Sequence, residues 1–155
     1  MSAPDRRISI QAEDFDAAAE IAALTQGRKD VGAVVTFTGL CRDEGETLAA
    51  LELEHYPGMA EEEISRVVTQ AESRWPLLGV RVIHRYGKIA PGGNIVLVVA
   101  TSSHRLAAFE AAEFLMDYLK TRAPFWKKEH RLDGASRDWV SAKDADDRAL
   151  ERWEK

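Results

Sequence analysis

Residues 80–101, VRVIHRYGKIAPGGNIVLVVAT, decide the fold class. Two runs rich in Val and Ile, residues 80–89 and 94–101, flank the punctuation APGGN. Strand-forming runs on either side of a short Gly/Pro turn predict an antiparallel pair. A parallel pair would need a crossover of about a dozen residues or more, usually a helix, and this spacing leaves no room for one.

Toward the N-terminus, residues 59–75 predict a helix, with Ile64, Val67, Val68, Ala71 and Trp75 at helical spacing. Glu61, Glu62 and Glu63 sit in its first turn, where the dipole favours anions, and Pro76 stops it. Residues 48–56 alternate as a half-exposed strand. Residues 31–39, VGAVVTFTG, read as a buried strand by composition. A helix capped by Asp14 or Asp16 through Leu24, and a short strand over 6–11, complete this half. Toward the C-terminus, a second long helix is expected over 103–122, ended by Pro124. A last strand pair over 125–132 and 137–142 and a helix over 144–153 follow. Paired strands between helices predict an α+β protein with antiparallel strand pairs and two long helices.

The chain has 155 residues, 21 Lys+Arg and 26 Asp+Glu, for a formal net charge of −5. That length suits one domain, and no repeat or linker divides it, so residues 1–155 read as a single domain. An acidic total excludes whole-surface binding to nucleic acid or anionic membranes. The charge is uneven, however. Residues 1–75 hold 7 basic and 15 acidic side chains, and residues 76–155 hold 14 and 11, so a cationic site is to be sought in the second half. One cysteine, Cys41, precludes an intrachain disulfide, and no Cys/His pattern offers a metal site. The first residues lack an apolar signal core, and the longest aliphatic run, 95–100, is far short of the about 20 residues of a membrane helix. A reduced, cytoplasmic protein is expected.

Two places hold candidate chemistry. The entry to the second long helix, Thr101-Ser102-Ser103-His104-Arg105, joins capping hydroxyls and free N–H groups to a titratable and a permanent cation. Such a start either grips a phosphate or carboxylate, or is an ordinary serine cap. The helix exit, residues 120–131, holds five Lys/Arg against one acid, with Phe125 and Trp126 among them. An apolar wall there would desolvate a lysine and tune it for proton transfer or nucleophilic work. The alternative is that Lys120 pairs with Asp117 one turn back and that Lys127 and Lys128 are solvated strand residues. Arg42, in the turn after residues 31–39, is a third candidate cation, and the neighbouring Cys41 reads as a buried, inert thiol. His55 and His84 fall inside strands and read as packing residues.

VGAVVTFTG followed by Arg42-Asp43, then LELEHYPGM, IHRYGKIAPG, TSSHRLAAFEAAEFLMDYLKTRAPFWKKE and RDWV resemble the catalytic, larger subunit of molybdopterin synthase, in register from Val31 to Trp153. The resemblance implies an α/β-hammerhead-type fold that forms a homodimer, and a heterotetramer with two small ubiquitin-like sulfur-carrier subunits. The carrier's C-terminal Gly-Gly thiocarboxylate would supply sulfur, twice, to cyclic pyranopterin monophosphate, with no cofactor. It implies catalytic roles for Lys120 and Lys127 and phosphate contacts from Arg42, His104 and Arg105. Leu40, Cys41, Lys128 and Glu129 would complete a substrate pocket finished across the dimer interface. Leu40 stands where relatives often carry Lys, and the 42–47 loop is slightly short. Two other classes remain open to the sequence: a non-catalytic module docking a Gly-Gly tail, and a phosphate-ester hydrolase built on His104 and Arg105.

Overall fold

The computed structural model describes residues 5–43, 45–134 and 144–154. Its elements in chain order are β1 (Ile8–Gln11), α1 (Ala17–Thr25), β2 (Ala33–Leu40), β3 (Leu48–His55), α2 (Met59–Arg74), β4 (Leu77–Arg85), β5 (Gly87–Ile89), β6 (Asn94–Ser102), α3 (Arg105–Thr121), β7 (Phe125–Arg131) and α4 (Asp144–Glu151). Four strands form a sheet in the order β1-β4-β6-β2, and three form a second in the order β5-β3-β7. The pair expected over 80–101 is present as antiparallel β4 and β6, with Val82 opposite Val98. Neighbours β2/β6, β3/β5 and β3/β7 are also antiparallel. One parallel pair, β1 with β4, joins an otherwise antiparallel α+β arrangement.

Strand β6 explains the long apolar run that opened the reading. Val96, Val98 and Ala100 pack with Ile64 and Val68 of α2 and with Phe114 and Leu115 of α3. Leu97 and Val99 point the other way, with Ile83, onto Phe15, Ile21 and Leu24 around α1. A strand covered on both faces needs apolar residues at every position rather than every second one. The helices follow their apolar spacing: Asp16 caps α1 by accepting from the Ala19 N–H at 3.2 Å, and Glu61 accepts from the Gly58 N–H at 2.7 Å at the start of α2.

Two expectations need correction. Residues 80–89 are two strands, because the chain leaves the large sheet after Arg85 and enters the small one at Gly87. Gly87 takes φ 88°, a left-handed conformation that strains other residues. Residues 31–39 are not a buried strand. β2 ends the sheet order with only β6 beside it, so Val34 and Phe37 stay 39% and 40% exposed. The strand expected over 137–142 lies outside the described residues; among the described residues β7 pairs with β3.

The entry to β2 is tightly fitted against the entry to α3. The Gly32 N–H donates to the Ser102 carbonyl at 3.0 Å, and a Cβ added at Gly32 would lie 2.1 Å from the Ser103 carbonyl oxygen. Backbone, unlike a flexible side chain, gives way only by moving both segments. Gly32→Ala is therefore expected to cost about 1–3 kcal/mol, the usual price of overpacking, read as a lower denaturation midpoint. An unchanged midpoint would show that this junction yields freely.

Candidate functional site

A cavity of about 260 Å³ opens where α3 ends and β7 begins. Leu51 and Leu53 of β3, His84 of β4 and Ile95 of β6 line it, and Lys120 and Lys127 border it from α3 and β7. Pro124 forbids further helix, and the chain turns at once into β7, where Phe125 faces His55 and Lys127 faces Leu53. Cross-strand partners share a face, so Lys127 is carried to the same side as the cavity-lining Leu53. Alternation places Glu129, opposite Leu51, on that face and Lys128, opposite Glu52, on the other. The two lysines singled out from sequence are thus brought together.

Lys120 does not pair with Asp117. That carboxylate accepts from Arg152 at 2.9 Å and from the Trp153 indole N–H, both supplied by the C-terminal segment. Lys120 is exposed, and it makes no ion pair or hydrogen bond with any described residue. Its ammonium lies at the border of a cavity whose lining includes Leu51, Leu53 and Ile95.

His84 is the residue the sequence reading undervalued. It does pack: its ring lies on Phe125 with centroids 3.7 Å apart and planes 12° from parallel. Phe125 in turn lies 5.9 Å from His55, which lies 4.7 Å from Tyr86. Yet His84 is also part of the cavity wall. Burial pushes its pKa down to about 4; the hydrogen bond to the Arg85 carbonyl opposes this, and the charges of Lys120 and His55 add to it. No local sequence signal marks it, because the wall is assembled from five elements.

Leu40, Cys41 and Arg42 follow β2 at the cavity end of the sheet, since Leu40 pairs with Asn94 next to Ile95. Leu40 and Arg42 are exposed. Cys41 is 3% exposed and packs with Leu53 and Ile89, and its backbone exchanges hydrogen bonds with Gly92 and Gly93 at 2.7 and 2.8 Å. Burial pushes its thiol pKa up, so it is the inert thiol expected from its neighbours in sequence.

His104 and Arg105 lie elsewhere. They begin α3, whereas Lys120 lies close to its end. Fifteen residues at about 1.5 Å each separate Arg105 from Lys120 by about 22 Å. One chain therefore does not bring them into its own cavity. The expected serine cap is absent too: Ser102 Oγ donates to the Pro76 carbonyl at 2.8 Å and Ser103 Oγ to the Asp30 carbonyl at 3.2 Å. His104 is the N-cap without a side-chain cap bond, and no acid occupies the first turn. Exposed apolar side chains lie along these two elements, Val34, Phe37 and Leu40 on β2 and Leu106 and Phe109 on α3.

Residues 10–122 match the model of the family described as MoaE protein. The chain belongs to the MoaE family. This MoaE chain is 70% identical over 146 residues to a molybdopterin synthase catalytic subunit of Mesorhizobium japonicum, covering 94% of this chain and 92% of that one. It superposes on the molybdopterin biosynthesis MoaE protein of Burkholderia ambifaria with a TM-score of 0.83 at 47% identity, covering 97% and 99% of the two chains. It shares its fold with a chain of the complex of subunits 1 and 2 of molybdopterin-converting factor from Helicobacter pylori, at TM-score 0.71 and 21% identity, over 88% and 90%. The MoaE chain is an enzyme of molybdenum cofactor biosynthesis.

His84 gives the fold a pH dependence of known sign. It is neutral when folded, with its pKa near 4, and recovers an ordinary value of 6.5 when unfolded. Between those values the unfolded state binds the extra proton, so stability is full above about pH 6.5 and is lost as pH falls toward 4. Moving from pH 7.5 to pH 5 is expected to remove about 2 kcal/mol, at about 1.4 kcal/mol per pH unit. Denaturant titrations at the two pH values read this, and His84→Phe should flatten the difference. An equal difference in both proteins would assign the effect to another group.

Proposed function

We propose that the chain is the catalytic subunit of a molybdopterin synthase that transfers sulfur from the C-terminal Gly-Gly thiocarboxylate of a small ubiquitin-like carrier to cyclic pyranopterin monophosphate. The observation that carries this is the meeting of Lys120 and Lys127 on one apolar-floored cavity in a MoaE-family chain. Both reactants are anions, and a cationic rim over a low-dielectric floor offsets their repulsion. The thiocarboxylate sulfur attacks an oxygen-bearing side-chain carbon of the pterin, a carbon–oxygen bond at that carbon breaks as the carbon–sulfur bond forms, and Lys120 supplies the proton with which that oxygen departs. Water then cleaves the acyl–sulfur bond, leaving sulfur on the pterin and a carboxylate on the carrier. Lys127 stabilises the tetrahedral oxyanion of that hydrolysis. Arg42 contributes charge at the mouth, Glu129 extends the β7 face that carries Lys127, and Lys128, on the other face of β7, adds charge from outside the cavity. The sulfur arrives on a protein, so the reading needs no cofactor, and it places the reaction in the cytoplasm with residues 1–155 acting as one domain. The Helicobacter chain of the same fold belongs to a two-subunit complex, in keeping with a separate carrier.

The 22 Å between Arg105 and Lys120 gives the dimer its purpose. Edge strand β2 runs from the α3 entry, where Ala33 pairs with Ser102, to the cavity end at Leu40. A second copy meeting the apolar face of β2 and α3 through a two-fold axis runs the opposite way. Its His104 and Arg105 then approach this chain's Lys120 and hold the substrate phosphate at an uncapped helix start. Two carriers with such a dimer make a heterotetramer.

Lys120→Ala is expected to lower single-turnover sulfur transfer by about 100-fold or more, the scale of general acid–base catalysis, while still binding carrier. Near-normal turnover would overturn the assignment. Arg105→Ala should be similarly impaired with pterin. Assembled together, the two inactive variants should recover about a quarter of wild-type turnover, because half of the dimers are mixed and each mixed dimer rebuilds one of its two sites. No recovery would show that each site is built from one chain.

A further inference from the structure

The His84 ring has two nitrogens, and the fold uses one. Nδ1 lies 2.9 Å from the Arg85 carbonyl oxygen, which can only accept, so Nδ1 carries the proton. Nε2 has no hydrogen-bond partner among the described residues. It is not sealed in the core either, because no buried side-chain nitrogen or oxygen of the described residues lacks a partner. In a ring that is 8% exposed and forms part of the cavity wall, Nε2 therefore opens into the cavity. A neutral imidazole with Nδ1–H presents a lone pair at Nε2.

Lys120 borders the same cavity, with Thr121, Arg122 and Lys127. Its ammonium acts electrostatically on His84, and its nearest acid along the helix, Asp117, is held by Arg152 and Trp153. Leu51, Leu53, Ile95 and Leu119 make the surrounding wall aliphatic. We propose that His84 is a positioning residue for the sulfur transfer: the Lys120 side chain, not bonded to His84 in this structure, swings inward so that the His84 Nε2 lone pair accepts a hydrogen bond from its ammonium and holds it over the cavity floor. The stack on Phe125 and the bond to Arg85 fix the ring so that this lone pair keeps one direction. Burial, which keeps the ring neutral, keeps it an acceptor rather than a rival cation. The proposal rests on the proton-transfer role assigned to Lys120.

Three substitutions separate the ring's possible duties. Gln places an amide oxygen near the Nε2 position, Asn places its amide near Nδ1, and Phe keeps only the stack. With carrier thiocarboxylate in excess, His84→Asn and His84→Phe are expected to lose turnover number about 100-fold, the scale of a misplaced catalytic group. KM for the pterin should stay within about twofold, since His84 acts on Lys120 and not on the phosphate. His84→Gln should retain most of the activity. Activity kept by Asn and lost by Gln would assign the effect to the Arg85 bond, and activity kept by Phe would assign it to the stack. Either result overturns the proposal, as does full activity or full loss in all three.

A measurement on the unaltered ring guards against misfolded variants. The nitrogen-15 resonance of His84 Nε2 should lie at lower frequency in the wild-type chain than in Lys120→Ala, because an accepted hydrogen bond withdraws the lone pair. Identical shifts would refute the contact. Full turnover in Lys120→Ala would instead overturn the functional reading, whatever the resonance showed.

Discussion

The flat contact between Phe125 and His84 joins the two sheets, and the geometry of the cavity depends on it. Phe125 begins β7 in the small sheet and His84 nears the end of β4 in the large one. Their rings lie 3.7 Å apart, so the first residue after Pro124 is fixed against the wall of the other sheet. Everything nearby follows from that fixed point. Lys120 precedes it by little more than one helical turn, and Lys127 follows it by two strand positions. Each lysine is thus delivered to the border of the same space by the shortest possible chain.

Electrostatics divides the labour between surface and cavity. The net charge of −5 is an average over many exposed acids, several already engaged, such as Asp5 with Arg7, Glu20 with Arg81 and Glu52 with His130. Exposed pairs of that kind contribute little to stability, on the order of 1 kcal/mol or less. Their value here is that they keep the acids occupied away from the cavity border. Asp117 is the telling case. It is three residues from Lys120 and would neutralise it, but the C-terminal segment claims it through Arg152 and Trp153.

Much of this was legible in the sequence, for physical reasons. The apolar spacing of α2 and α3 and the stop at Pro124 are local, and local signals survive into the fold. The antiparallel relation of β4 and β6 was legible because a short turn admits nothing else. The division of residues 80–89 was not, since Tyr86 and Gly87 serve different sheets only because β3 offers Gly87 a partner. The exposure of β2 was not legible either, because an edge strand and a central strand can share one composition. The basic cluster singled out Lys120 and Lys127, which border one cavity, while the wall His84 shares with them depends on contacts between distant segments. Placing His104 and Arg105 with Lys120 in one chain fails on length alone, as a helix of 17 residues holds its ends apart.

That last feature makes α3 a ruler. Its span sets the distance between the Arg105 end and the Lys120 end, and each residue added or removed changes that distance by about 1.5 Å and turns the far end by about 100°. A single insertion would therefore swing Lys120 away from its cavity and turn Phe114 and Leu115 out of the core with it. The residue count of this helix is therefore as binding a constraint as the identity of its buried side chains.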